Sequence, residues 1–139
     1  MVVLCDTNGG LMPWELIKIM EEVRREVAAP LGIHAHDDCG MAVANTLLAV
    51  RSGVAHIQGT INGYGERVGN ADLLTVIADL ELKMGYESVG ADQLRQLTSV
   101  ASYVAEISNF SVWAHAPYVG SSAFAHKGGN ERRRMGRHR

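Results

Sequence analysis

Two histidines stand two residues apart at the end of a predicted buried strand and are followed by a polar cluster. The segment reads Gly32-Ile33-His34-Ala35-His36-Asp37-Asp38-Cys39-Gly40. Alternate strand residues point to one face at a rise of about 3.3 Å each, so His34 and His36 leave the same surface about 7 Å apart at their backbones. Two imidazoles at that separation can converge on one divalent ion. The alternative interpretation is a pair of satisfied core histidines.

The pattern on either side of this pair favours the metal interpretation. Apolar runs alternate with helical patterns, and each run ends in Gly, Asn, Thr or Asp, where parallel α/β folds place their chemistry. Strands are predicted over 2–5, 31–36 and 54–59, and helices over 13–27, 40–52 and 71–84. Short loops and right-handed crossovers make the three strands parallel neighbours.

Three β-α units are too few to close a barrel by themselves. A (β/α)8 barrel needs about 250 residues, and this sequence has 139. We therefore expect an α/β fold that is the C-terminal portion of a (β/α)8 TIM barrel, truncated so that it starts inside a core strand. Residues 1–86 would hold the last three β-α units, 87–129 a helix over 91–108 and the start of an extended linker, and 130–139 an atypical Arg-rich tail.

Charge and hydropathy argue against several classes of function. The net charge is −2, but residues 131–139 carry five arginines against one glutamate, a net +4, so the rest of the chain carries −6. An acidic body argues against nucleic acid as a partner. No stretch approaches the ~18 apolar residues of a membrane span, and the first residues lack the basic start of a signal peptide, so we expect a cytoplasmic protein. Cys5 and Cys39 would then be reduced packing residues.

The loop after the third predicted strand is the second informative segment. It reads Gly59-Thr60-Ile61-Asn62-Gly63-Tyr64-Gly65-Glu66-Arg67-Val68-Gly69-Asn70. Its glycines let backbone approach a ligand closely, and Asn70 stands where a helix N-cap belongs. A helix start offers free N–H groups and a positive dipole end to an anion. The alternative interpretation is a tight turn capped by Asn70.

Three segments together carry a resemblance that spacing alone does not supply. In their order and spacing, Leu4–Gly10, His34–Gly40 and Gly63–Asn70 resemble the second half of the barrel in the Claisen-condensing metallo-enzymes, which are the isopropylmalate, homocitrate and citramalate synthases. The resemblance covers residues 2 to about 128. Residues 116–129 and the segment Asn62-Gly63-Tyr64-Gly65 resemble the citramalate synthases more than the 2-isopropylmalate synthases of leucine biosynthesis.

The resemblance implies an acyltransferase that joins acetyl-CoA to a 2-oxo acid, which is pyruvate in the citramalate synthases of isoleucine biosynthesis. That reaction needs a Lewis acid at the keto carbonyl, a base for the methyl proton, and water to cleave the thioester. The implied metal residues are His34, His36 and Asn70. Hard oxygen ligands from the substrate suit Mg²⁺ or Mn²⁺, although two imidazoles also accept Zn²⁺ or Co²⁺.

The resemblance also implies roles around the metal. Thr7 matches the threonine that binds the substrate carboxylate, and its alternative role is to close a turn at a strand end. The residues expected to shape the loop near acetyl-CoA are Gly63, Gly65, Glu66 and Arg67. Asp6 and Asp37 could support the site or serve as cap and turn residues. The residues His56 and His115 are expected to be merely structural.

Part of the implied machinery is missing from the sequence. The family takes a carboxylate ligand, an arginine and the general base from the first half of the barrel, so we expect little or no synthase activity from this chain alone. The full-length enzymes are usually homodimers. Two alternatives compete with a synthase fragment. One is a metal hydrolase of the amidohydrolase type, although the strand ending at Gln58 lacks its further ligands. The other is an inactive barrel fragment whose 91–108 helix packs on a partner.

Overall fold

A three-stranded parallel sheet with helices on one side forms the centre of the fold, as a computed structural model describing residues 1–125 shows. The elements are β1 (Val2–Asp6), α1 (Pro13–Glu26), β2 (Leu31–Ala35), α2 (Ala42–Arg51), β3 (His56–Gln58), α3 (Leu73–Leu82), α4 (Ala91–Leu94) and α5 (Leu97–Ile107). The strand order is β1-β2-β3, and both strand pairs are parallel. The three predicted β-α units and their parallel pairing are therefore confirmed.

The apolar side of the sheet is buried under the first two helices. Leu31 and Ile33 of β2 are only 4% and 1% exposed and form one cluster with α1 and α2. Helix α1 starts with Pro13 at its first turn, where the missing N–H costs nothing. Its apolar stripe brings Leu16 and Met20 onto the same cluster. The helix positions predicted from the stripes are thus confirmed to within a few residues at each end.

The opposite side of the sheet carries small and polar residues. The register pairs Cys5 with His34, and His34 with Gln58, so these three side chains form one row across the strands. Gly32 lies on the same side, in the next row, between Val3 and His56. A Cβ added to Gly32 would lie 3.2 Å from Cδ2 of His56, so the flanking side chains leave little room for one. Cys5 is exposed on this side. The prediction that Cys5 is a packing residue is therefore wrong, because no element covers that side of β1 within residues 1–125.

Helix α3 begins two residues later than expected, and its cap is not Asn70. The N-cap is Asp72, whose carboxylate accepts hydrogen bonds from the N–H groups of Leu74 and Thr75. The prediction of Asn70 as N-cap is wrong because the backbone there still pairs with β2. The N–H of Ala71 donates to the Ala35 carbonyl at 3.0 Å, and His36 and Asn70 form an antiparallel bridge.

The segment after α3 folds back onto that helix. The carboxylate of Glu81 accepts hydrogen bonds from the N–H groups of residues 88, 89 and 90, and these bonds lower its pKa. The hydroxyl of Tyr118 donates to Asp79 at 2.5 Å. Burial and this bond raise the pKa of Tyr118 to about 12. Residues 84–120 are thus tied to α3 at two points.

The single helix predicted over 91–108 is wrong, because the chain breaks it at Arg95 and Gln96 into α4 and α5. Helix α5 buries Ala101 against Leu74 and Val119.

The domain boundaries at 86 and 129 stay predictions, and residues 126–139, with the Arg-rich tail, lie outside the described residues. Among residues 1–125, no helix is both long and apolar enough to span a bilayer.

Candidate metal centre

The two histidines of the sequence motif lie side by side at the carboxyl end of β2. Their ring centroids are 5.3 Å apart, and the ring planes are tilted by 56°. His34 is the fourth residue of β2, whereas His36 lies just beyond the strand. The N–H of His36 donates to the Asp6 carbonyl at 3.2 Å, which continues the pairing with β1. The strand period therefore places both imidazoles on one side, as the spacing predicted.

Asn70 lies against this pair and is nearly buried, at 8% exposed. Its side-chain Nδ2 lies 3.2 Å from Nε2 of His34. The Asn70 N–H donates to the Gly63 carbonyl at 3.0 Å, and a Cβ added to Gly65 would lie 1.9 Å from Asn70 Oδ1. The loop thus closes around the Asn70 amide, and only a glycine at position 65 leaves room for it.

In the glycine-rich loop, residues 59–70, contacts within the loop itself require glycine at two positions. Gly69 adopts φ +104°, and a Cβ there would lie 1.9 Å from the Gly63 carbonyl oxygen. Gly63 itself has φ +69°. Both positions favour glycine for conformational reasons, whatever the loop binds. The acetyl-CoA role of the loop stays a prediction.

Arg67, in the glycine-rich loop after β3, contacts the loop after β1 and the loop after β2. Its guanidinium makes a bidentate ion pair with Asp38, with N···O distances of 2.7 and 2.8 Å, and donates to the Thr7 carbonyl at 2.8 Å. The Arg67 hydrogen bond lowers the pKa of Asp38 despite some desolvation. The neighbouring Glu66 is largely exposed and only 3.9 Å from Arg67. The Arg67 side chain is therefore engaged with the two other loops.

The sequence alone indicates no role for Asp38, because its partner Arg67 lies 29 residues away. Asp6 and Asp37 act as turn and cap residues. Asp6 accepts a hydrogen bond from Leu11 N–H at 3.1 Å, and Asp37 accepts one from Ala42 N–H at the start of α2. Thr7 is exposed at the loop tip, and its substrate role stays a prediction.

A cleft of about 400 Å³ opens beside Asn70, between the glycine-rich loop and the segment after α5. The residues on its walls include Asn62, Tyr64, Asp72, Trp113 and Pro117. The Tyr64 and Phe110 rings lie in contact, with centroids 5.1 Å apart and planes tilted by 52°. The segment after α5 therefore forms one wall beside the candidate metal residues.

The side chains of His34, His36 and Asn70 could supply part of the coordination shell of a divalent metal ion. Nδ1 of His36 is buried and has no hydrogen-bond partner in the part of the chain that the structure describes, so this imidazole has unused donor or acceptor capacity there. Two imidazole nitrogens suit a borderline divalent cation. The Asn70 amide would add an oxygen ligand once it turned from the orientation in which its Nδ2 faces His34. Within residues 1–125, no group of three or more His, Cys, Asp or Glu side chains converges. A complete shell would need oxygen ligands from another source.

Comparison with known proteins gives consistent matches. The HMGL-like family model matches residues 1–104. The (R)-citramalate synthases of Geobacter sulfurreducens and Streptomyces coelicolor are 57% and 53% identical to this chain over 128 residues, each covering 92% of the chain and 24% of the relative. A 2-isopropylmalate synthase of Acidimicrobium ferrooxidans is 38% identical over 129 residues, covering 89% of the chain and 25% of that enzyme. The chain spans about a quarter of the length of these curated relatives.

Solved structures agree on the fold. An HMG-CoA lyase of Bacillus subtilis superposes with a TM-score of 0.69 at 26% identity, covering 79% of this chain and 38% of the lyase. An HMG-CoA lyase of Acinetobacter baumannii, in complex with coenzyme A and 3-methylmalate, has a TM-score of 0.69 at 18% identity and covers 92% and 41% of the two chains. The second likeness bears on the fold alone. The expected α/β fold, as a portion of a larger barrel, is confirmed.

Proposed function

The chain belongs to the HMGL-like family, and from that premise we propose that it forms part of the active site of an (R)-citramalate synthase, which condenses acetyl-CoA with pyruvate. The observation that carries the proposal is the pair of adjacent imidazoles, His34 and His36, beside the buried Asn70 at the carboxyl end of a parallel sheet. The identities of 57% and 53% to two (R)-citramalate synthases, against 38% to the 2-isopropylmalate synthase, support pyruvate over a larger 2-oxo acid.

In this proposal, His34, His36 and Asn70 hold a divalent cation, Mg²⁺ or Mn²⁺ in preference to Zn²⁺ or Co²⁺. When bound, that cation supplies the Lewis acidity that polarises a keto carbonyl. The hydroxyl of Thr7 donates a hydrogen bond to the carboxylate of the 2-oxo acid. Arg67 holds the Thr7 backbone, which fixes the loop that presents this hydroxyl.

Several finer statements belong to the same proposal. The loop residues Gly63, Gly65, Glu66 and Arg67 lie on the acetyl-CoA side. By the family resemblance, the general base comes from the first half of the barrel and not from this chain, so the 139-residue chain alone should release little or no CoA from acetyl-CoA and pyruvate. A cytoplasmic location, isoleucine biosynthesis as the pathway, and a homodimeric full-length enzyme are proposed on the same grounds.

A chimera tests the proposal directly. Residues 1–125 would replace the matching quarter of the Geobacter sulfurreducens (R)-citramalate synthase, and CoA release would be measured with pyruvate and with a branched 2-oxo acid. We expect turnover with pyruvate and a loss of at least about 100-fold in the His34→Ala/His36→Ala variant, since the metal contributes several kcal/mol to such reactions.

The matched control is His115→Ala, which removes an exposed histidine of the segment after α5 and should leave turnover unchanged. A folded chimera that prefers the branched acid would favour a 2-isopropylmalate synthase. A double variant that keeps full turnover would reject the metal assignment.

A further inference from the structure

Beside His34 and His36, the histidines of the candidate metal centre, the open side of the sheet carries a short series of polar side chains. Gln58, at the end of β3, is exposed and lies between two imidazoles. Its Oε1 is 3.1 Å from Nδ1 of His34, and its Nε2 is 3.4 Å from Nε2 of His56. The other ring nitrogen of His34 faces Asn70. The three polar contacts thus form one continuous series from Asn70 to His56.

The direction of each hydrogen bond in this series follows from which side-chain atoms can donate and which can accept. An amide NH₂ group only donates and an amide carbonyl only accepts, whereas a neutral imidazole has one donor and one acceptor nitrogen. Asn70 Nδ2 therefore donates to Nε2 of His34, which leaves the ring proton on Nδ1. That Nδ1–H donates to Gln58 Oε1, and Gln58 Nε2 donates to His56. Every contact agrees with a single tautomer of His34.

We propose that Gln58 is a positioning residue that holds His34 as the Nδ1–H tautomer, so that Nε2, which accepts from Asn70 in this structure, keeps its lone pair available for a divalent cation. The inference rests on the proposed metal role of His34. Metal-ligating histidines almost always donate their second ring N–H to an oxygen acceptor, which fixes the tautomer and the ring orientation. Here the acceptor is the Gln58 carbonyl, and His56 in turn fixes the orientation of the Gln58 amide.

A purely structural role for Gln58 predicts a different outcome. Its side chain is exposed, and β3 has only three residues, so its bonds add little to the stability of the fold. Replacing it should therefore leave the melting temperature almost unchanged. The tautomer of His34 and the metal affinity should change nonetheless.

The first experiment is NMR of the 139-residue chain labelled with ¹⁵N-histidine, without metal, at one alkaline pH where the imidazoles are neutral. Two-bond ¹H–¹⁵N correlations report which nitrogen of His34 carries the proton. We expect Nδ1–H in the parent and in Gln58→Glu, whose carboxylate still accepts that proton. Gln58→Leu should shift the population of His34 toward the Nε2–H form, because only the Asn70 amide then still favours Nδ1–H. Gln93→Leu, the same change at an exposed position of α4, should match the parent.

The second experiment is calorimetric titration of the same variants with MnCl₂ at one pH. Affinity should fall about 10–100-fold in Gln58→Leu, the usual cost of losing such an outer-shell partner, and should not fall in Gln58→Glu or Gln93→Leu. Equal Mn²⁺ affinity in the parent and in His34→Ala/His36→Ala would reject the proposed metal site itself. If the double variant loses Mn²⁺ while Gln58→Leu keeps both the parent tautomer and the parent affinity, the positioning role is wrong.

Discussion

The two sides of the three-stranded sheet differ in almost every physical respect. On the helix side, Leu31 and Ile33 are nearly inaccessible to solvent and pack into one apolar cluster. On the other side, Cys5, His34 and Gln58 form a polar row that is partly or fully exposed. Because a strand has a period of two, adjacent residues such as Ile33 and His34 belong to these two different environments.

Within one strand, therefore, the residues that stabilise the fold and the residues that can bind a ligand lie on opposite sides of the sheet. Burying an isoleucine side chain contributes about 1.5–3 kcal/mol, while an exposed hydrogen bond contributes much less. The helix side therefore holds the strands in register, and the opposite side is free to carry residues that bind a ligand. Substitutions on the two sides should consequently affect different measurements.

The largest expected effect is on the helix side. Ile33→Ala should lower the free energy of unfolding by about 2–5 kcal/mol, because Ile33 is 1% exposed and the substitution leaves a cavity in the apolar cluster. Chemical denaturation monitored by circular dichroism measures this loss. The matched change on the neighbouring residue, His34→Ala, should cost under about 1 kcal/mol. Equal losses in the two variants would contradict the division between the two sides.

The hydrogen bond from Tyr118 to Asp79 of α3 should have an intermediate effect on stability. Tyr118→Phe removes the hydroxyl that donates to Asp79 and should cost about 1 kcal/mol, because that bond is only partly buried. The folded pKa of Tyr118 is raised to about 12, so the contribution is complete below the unfolded pKa of about 10 and disappears as the pH rises through about 12. Melting temperatures of both proteins between pH 8 and pH 12 should converge at the alkaline end.

The elements of this fold could be predicted wherever burial sets the pattern. Helices α1, α2 and α3 each present an apolar stripe to the core, and their stripes are visible in the sequence. The error at Asn70 has a physical cause, since bonding of the loop to β2 delays the helix start. The signal was present, because Asp72 directly precedes the first apolar residue of the stripe, Leu73. The break within residues 91–108 carries no comparable signal.

The candidate site could be predicted only in part. The spacing of His34 and His36 requires nothing beyond strand geometry. The ion pair of Arg67 with Asp38 joins residues 29 positions apart, and only the folded loops bring them together. Gln58 falls between these cases, because the parallel register that sets it beside His34 could have been inferred once the three strands were aligned.

The ion pair between the loops should have a smaller effect that depends on pH. Arg67 lowers the pKa of Asp38 below its ordinary value of 3.8, so the pair contributes fully above about pH 4 and is lost as the pH falls through the lower, folded pKa. Asp38→Asn should lower the melting temperature at pH 7, by less than Ile33→Ala does, and the difference from the parent should narrow as the pH drops below about 4. Asp92→Asn, in the exposed pair with Arg95, is the control and should change little at any pH.

The smallest expected effect is at Cys5, and it tests the open side most strictly. The thiol is exposed, and among residues 1–125 its one contact is a weak one with the Val3 carbonyl at 3.8 Å. Cys5→Ser should therefore change the free energy of unfolding by less than about 0.5 kcal/mol. In the native parent, a thiol reagent should modify Cys5 faster than the half-buried Cys39. A loss above about 1 kcal/mol, or equal reaction rates for the two thiols, would mean that something covers this side of β1 in solution. The open row of Cys5, His34 and Gln58 would then be a packed surface, and the separation of stability from chemistry would fail.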